Sequence, residues 1–73
     1  YRYLIKIGRV YIMARRIIRI AEVSVRTGLS TGSIYKQIRL GVFPRGIKLT
    51  ARATGWDEDA VQLWIDEKLG IEA

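Results

Sequence analysis

Four residues, Thr27-Gly28-Leu29-Ser30, constrain this chain more than any other feature. Before them Ile20 and Val23, with Ser24 or Thr27 beside them, recur at spacings of three and four. That is the pattern of a short helix with one buried face, and it leaves Val25 outside. Gly28 stands where a helix commonly needs a left-handed residue to stop, and Leu29 can turn inward to cover the corner. Ser30 suits an N-cap, its hydroxyl placed to accept the N–H of Gly32 or Ser33. A second helix is expected from Thr31 to Leu40, with Ile34 and Ile38 on one face, Gln37 at its margin and Gly41 as its stop. A turn this short holds two helices at a steep angle, which is what a helix-turn-helix requires.

After Phe43-Pro44 the period changes from helical to alternating, through Ile47, Lys48 and Leu49 and again from Ala53 to Trp56. Two short strands joined through Thr50-Ala51-Arg52 are therefore expected to form a β-hairpin. Pro44, which lacks a ladder donor, belongs before the first strand or at an edge. Asp57 is the expected cap of a last helix whose first turn carries Glu58 and Asp59. Val61, Trp64 and Ile65 form its buried stripe, Leu69 extends it, and Gly70 ends it. Trp56 and Trp64 both read as core. The order helix, tight turn, helix, hairpin, helix predicts an α+β, mainly α fold: a small winged helix-turn-helix over residues 18–70, with a tail at 71–73.

The first 17 residues read as a basic N-terminal extension. Tyr1, Tyr3, Ile5 and Ile7 alternate against Arg2 and Lys6, a weak strand signal that Gly8 interrupts. Met13-Ala14-Arg15-Arg16 reads like a natural start, which would put residues 1–12 upstream of the domain proper. An edge strand or dimerisation arm is the rival reading. Arg15, Arg16 and Arg19 are open between an unstructured basic arm and a phosphate clamp.

Charge separates this chain into two parts. Residues 1–56 carry 12 Lys or Arg against the single acid Glu22, a net +11, whereas residues 57–73 carry Lys68 against six acids, a net −5. Solvated surfaces ordinarily mix both signs, yet no acid occurs from Val23 to Trp56. An anionic partner is the reading this supports. The chain contains no Cys and no His, which excludes disulfide staples, the usual zinc ligand sets and thiol or imidazole nucleophiles. No metal or cofactor is expected, and an enzyme is the least supported class. There is no run of about 18 apolar residues to cross a bilayer, and the opening lacks a small-residue cleavage site. A cytoplasmic, nucleoid-associated protein with no membrane contact is expected.

In a helix-turn-helix the second helix enters the major groove and its N-terminal residues reach base edges. Here those residues are Thr31, Gly32 and Ser33, with Ser30 at the cap. Gly32 weakens the helix slightly but allows close approach of the backbone. Lys36 and Arg39 lie one and two turns further on, suited to phosphates or to guanine N7 and O6. Taken alone they read as solvated helix charges; the acid-free interval favours the contact reading. Tyr35 reads equally as core or as a phosphate contact. On the hairpin, Arg45 and Lys48 flank the first strand and Arg52 stands near the tip, able to reach backbone or minor groove.

The run from Ile18 to Leu69 closely resembles the AlpA family of small phage and prophage regulators, which is related to the MerR and excisionase winged-helix groups. The pieces IIRIAEV, TGLSTGSIYKQI, GVFPRGIKL and RATGWDEDAVQLWI carry the resemblance, and their joint spacing is more specific than any one piece. It implies that the helix holding Ile34 and Tyr35 is the recognition helix and that the segment around Arg52 is the wing. The chain departs from the family pattern at Thr31, where a basic residue is frequent, and at Gly32, where a hydroxyl residue is. Base reading is therefore expected to shift toward Ser33, Lys36 and the backbone. The wing tip is Thr50-Ala51 rather than Gly or Pro, and Gly46 replaces a common Pro, which is expected to loosen the approach to the strand.

The leading expectation is sequence-specific binding of double-stranded DNA by an AlpA-like transcriptional regulator. A recombination directionality factor of the excisionase kind, bending DNA at attachment sites, is the alternative. One recognition helix and one wing offer little surface for a specific interface, so self-association on paired or tandem sites is expected. A protein-interaction module, with the acidic last helix and Leu63 docking onto integrase or RNA polymerase, is a further reading. A basic N-terminal segment lying on a membrane surface is the weakest.

Overall fold

The computed structural model describes residues 3–14 and 16–71. In chain order they form β1 (Tyr3–Ile7), β2 (Val10–Ala14), β3 (Ile17–Ile18), α1 (Ile20–Thr27), α2 (Thr31–Arg39), β4 (Ile47–Thr50), β5 (Ala53–Asp57) and α3 (Glu58–Leu69). Each helix ends on a local signal. Gly28 adopts φ 74° and its N–H returns to the Ser24 carbonyl, closing α1. Ser30 caps α2 by accepting the Ser33 N–H at 3.2 Å. The Asp57 side chain accepts the Asp59 N–H at the start of α3, and Gly70 in the left-handed region ends it. Only glycine takes that backbone region without strain.

The connection between α1 and α2 is stitched by side chains. Ser24 Oγ donates to the Leu29 carbonyl at 2.6 Å, and Thr27 Oγ1 accepts the Leu29 N–H at 3.2 Å. These bonds satisfy polar groups that the sharp turn would otherwise leave open. The turn is therefore rigid enough to fix one helix against the other.

The expected hairpin is present as β4 and β5, with Ile47 opposite Gly55 and Lys48 opposite Thr54. A register shift between Lys48 and Thr50 marks a bulge, and Arg52 N–H donates to Thr50 Oγ1 at 3.2 Å across the turn. The sheet holds one strand more than the alternation indicates. Ile17 and Ile18 pair with Asp57 and Trp56, so that the order is β3-β5-β4 and all neighbours are antiparallel. Two residues are too short to show a period, which is why β3 is silent in the sequence. β3 also begins at Ile17, one residue before the expected start of the domain.

Side chains from β3, α1, α2, β5 and α3, with Leu29 and Phe43 of the connections, meet in one core. Ile18, Val23, Ile34, Phe43, Trp56 and Val61 are buried, and Ile20, Leu29, Ile38, Trp64 and Ile65 pack around them. Trp64 is half-buried rather than fully inside: its indole N–H reaches out to the Val42 carbonyl at 2.7 Å. Its ring meets Phe43 edge-on, with centroids 4.9 Å apart. The architecture is a small α+β winged helix-turn-helix, with three helices and a three-stranded antiparallel sheet among the described residues.

Glycine at two sheet positions serves close packing. A Cβ on Gly46 would lie 2.5 Å from Thr54 Cγ2 and 3.1 Å from the Trp56 ring. The expected looseness at Gly46 is thus replaced by tight contact. A Cβ on Gly55 would strike the Ile17 side chain and lie 3.0 Å from Leu49 Cδ1.

Residues 3–14 form a separate two-stranded antiparallel hairpin, turning at Gly8, whose φ is 61°. Met13 lies within β2. Tyr1 and Arg2 of the expected alternation, Arg15 of the basic arm and the tail beyond Ile71 lie outside the described residues.

Candidate nucleic-acid interface

α2 presents two unlike faces. Ile34 is fully buried, and Gln37 and Ile38 are half-buried beside it. Thr31, Gly32, Tyr35, Lys36 and Arg39 are exposed, and Ser33 lies at the margin. This division follows from the four-residue spacing of Ile34 and Ile38, which turns one stripe of the helix into the core and the rest toward solvent.

At its N-terminus the candidate contacts are already organised. Ser30 Oγ accepts the Ser33 N–H and lies 3.0 Å from Ser33 Oγ, to which it donates. The Ser30 hydroxyl is thus occupied by the cap, while the Ser33 hydroxyl keeps its own proton to offer. Around Gly32 there is open space, with nothing within 4 Å of a Cβ built there. Tyr35 combines the two roles weighed for it: its ring packs edge-on against Trp56 at 6.2 Å, yet 43% of the residue is exposed. Its hydroxyl has no hydrogen-bond partner among the described residues.

Arg45 two residues before β4, Lys48 within it and Arg52 in the turn that follows are exposed. Two indole N–H groups fix the segment that leads there: Trp56 Nε1 donates to the Pro44 carbonyl at 3.1 Å and Trp64 Nε1 to Val42. Phe43 is buried between these anchors. The passage from α2 into the hairpin is therefore pinned on both sides of one plug residue. No hydrogen bond or ion pair joins the α2 candidates directly to those of the hairpin among the described residues.

Electrostatics divide the cations into two sets. Among the described residues, Lys36, Arg39, Arg45, Lys48 and Arg52 have no carboxylate partner, and the same holds for Arg19 at the start of α1. Arg16 and Arg26 are instead engaged with Glu22 and Glu58. Arg26 Nη2 lies 2.8 Å from Glu22 Oε2 and 2.6 Å from Glu58 Oε2, and Arg16 reaches Glu22 at 3.2 Å and Glu58 at 3.3 Å. Burial acts to lower the Arg26 pKa, but its hydrogen bonds and charge contacts with Glu58 and Glu22 outweigh this and leave it raised. Arg26 stays cationic wherever the protein is folded.

This network is what the sequence reading missed. Its one local trace is Glu22, an isolated acid in a basic stretch, four residues before Arg26. It also ties Arg16 to two carboxylates that it shares with Arg26.

Among the described residues no group of three potential metal-ligating side chains comes together, and no helix is long and apolar enough to cross a membrane. The chain matches the protein family described as "Prophage CP4-57 regulatory protein (AlpA)" over residues 16–69. No curated protein and no solved structure matches it.

Proposed function

The chain belongs to the AlpA family of prophage regulatory proteins, and from that premise we propose that it regulates by binding specific sites on double-stranded DNA. In this reading α2 enters the major groove, and Thr31, Gly32 and Ser33 approach base edges. Lys36 and Arg39 bind phosphates or guanine, and Tyr35 gives its free hydroxyl to a phosphate. The β4–β5 hairpin is the wing, its Arg45, Lys48 and Arg52 tracking the backbone beside the groove.

The observation that carries this reading is the set of five exposed cations on α2 and the hairpin without a carboxylate partner. A merely solvated surface would intersperse acids among them. Such a surface releases condensed counterions from DNA, so affinity must fall steeply with salt. One domain covers little DNA, and copies are expected to cooperate on paired or tandem sites.

Selection of bound fragments from random and genomic DNA tests the reading. One enriched motif, in direct or inverted repeats, is the expected result. No enrichment at physiological salt, or equal affinity for that motif in a Lys36→Ala, Arg39→Ala double variant, would overturn the assignment of α2.

A further inference from the structure

We propose that Arg26 and Glu58 are positioning residues that aim the wing relative to the helix-turn-helix, an inference that rests on the DNA-binding reading above. β4 is the outer strand of the wing. All four of its residues are exposed, so along its length this strand is held through its partner β5. The direction of the whole wing is then set where β5 is anchored. Its inner residue Trp56 lies in the core, and its last residue, Asp57, is followed at once by Glu58.

Glu58 is where the chain is gripped from three sides. Its carboxylate takes Arg26 of the last turn of α1 at 2.6 Å and Arg16 at 3.3 Å, and its N–H donates to the Arg16 carbonyl at 2.9 Å. Arg26 in turn holds Glu22 on its own helix through Nε at 3.0 Å. The planar guanidinium fixes direction as well as distance, because its donors point along set lines. Three of the four side chains are only 20–33% exposed, so solvent screening is partial. The core holds β5 at Trp56 and the β3 ladder holds it at Trp56 and Asp57; the ion pairs at Glu58 add a tie from the end of that ladder to α1, and so set the sheet's direction against the helix-turn-helix. With two cations and two anions the cluster is neutral overall, so it contributes nothing to phosphate attraction itself.

Salt dependence of DNA affinity separates aiming from mere stabilisation. Binding to a short mixed-sequence duplex is measured against salt concentration, below the melting transition of each variant. In the parent chain, Arg52→Ala and Lys36→Ala are each expected to lower the slope of log affinity against log salt by about 1. Arg26→Gln lowers the net charge by one and Glu58→Gln raises it, yet both are expected to lose the slope contributed by Arg52. Adding Arg52→Ala to either should then change nothing, while adding Lys36→Ala still removes its full share. If Arg52→Ala keeps its full effect in both backgrounds, the network is only a structural clamp and the inference is overturned. If neither Arg52→Ala nor Lys36→Ala alters the slope in the parent, it is the DNA-binding reading that fails. Should either network variant fail to fold, Arg16→Gln, which removes the most exposed corner, is read by the same criterion.

Discussion

The indole N–H of Trp56 donates to the Pro44 carbonyl at 3.1 Å, joining the largest fully buried side chain to the segment that leaves α2. One residue thereby belongs to the core, to β5 and to the path between α2 and the β4–β5 hairpin. Trp64 repeats the device two residues away, on Val42, from α3. The six buried apolar side chains form a small core, and each is worth only about 1.5–3 kcal/mol of burial. Directional bonds at its edge therefore matter for holding one arrangement.

Replacing Trp56 by Phe keeps most of the apolar volume but removes the donor. The expected cost is about 1–3 kcal/mol, from the lost hydrogen bond and the small void. Trp64→Phe should cost less, since that indole is half-exposed and water can reach the Val42 carbonyl. Urea denaturation of the two variants checks the order; a larger loss for Trp64→Phe would contradict it.

Gly46→Ala places a methyl 2.5 Å from Thr54 Cγ2 and against the Trp56 ring. Overpacking of this kind costs about 1–3 kcal/mol. Because the nearest clash is with one methyl group, Thr54→Ser should remove much of the penalty when combined with Gly46→Ala. Melting temperatures of the two single variants and the double give a cycle whose coupling is favourable if the contact is as described. Additive effects would mean that the backbone shifts instead.

How far the sequence could be read follows from the range of each signal. Gly28, Ser30, Asp57 and Gly70 act on their own neighbours within a few residues, and the ends of α1, α2 and α3 fall where those residues predict. β3 was invisible because two residues carry no period and its partner lies 38 to 40 positions away. The Arg16–Glu58 contact spans 42 positions, and no periodicity reports such a pairing. Gly46 was misread for a related reason: a glycine looks flexible in one dimension, and only the fold reveals the Trp56 ring above it. At the candidate interface the acid-free interval was legible, whereas the division of cations between free and paired was not.

The Ser30 cap makes a stability prediction independent of DNA. Ser30→Ala removes the acceptor for the Ser33 N–H and should cost about 1 kcal/mol, while Ser30→Gly should cost only a few tenths. The difference between these two variants in thermal denaturation, without nucleic acid, isolates the cap from any contact role of the hydroxyl. Equal losses would show that the hydroxyl bond is not what sustains the start of α2.

Gly32 offers a prediction in which stability and binding move in opposite directions. It lies in the first turn of α2 with open space around it and an ordinary helical backbone. Gly32→Ala therefore reduces the freedom of the unfolded chain without a clash and should stabilise the free protein by about 0.4–1 kcal/mol. In the proposed complex the same position is where the backbone comes closest to DNA, and a methyl there fills the space the groove wall must occupy. Affinity for the selected site should fall even as the melting temperature rises. A variant that melts higher and binds as tightly as the parent would show that the backbone at Gly32 stands clear of the groove, leaving Ser33 and Lys36 to do the reading by side chain alone.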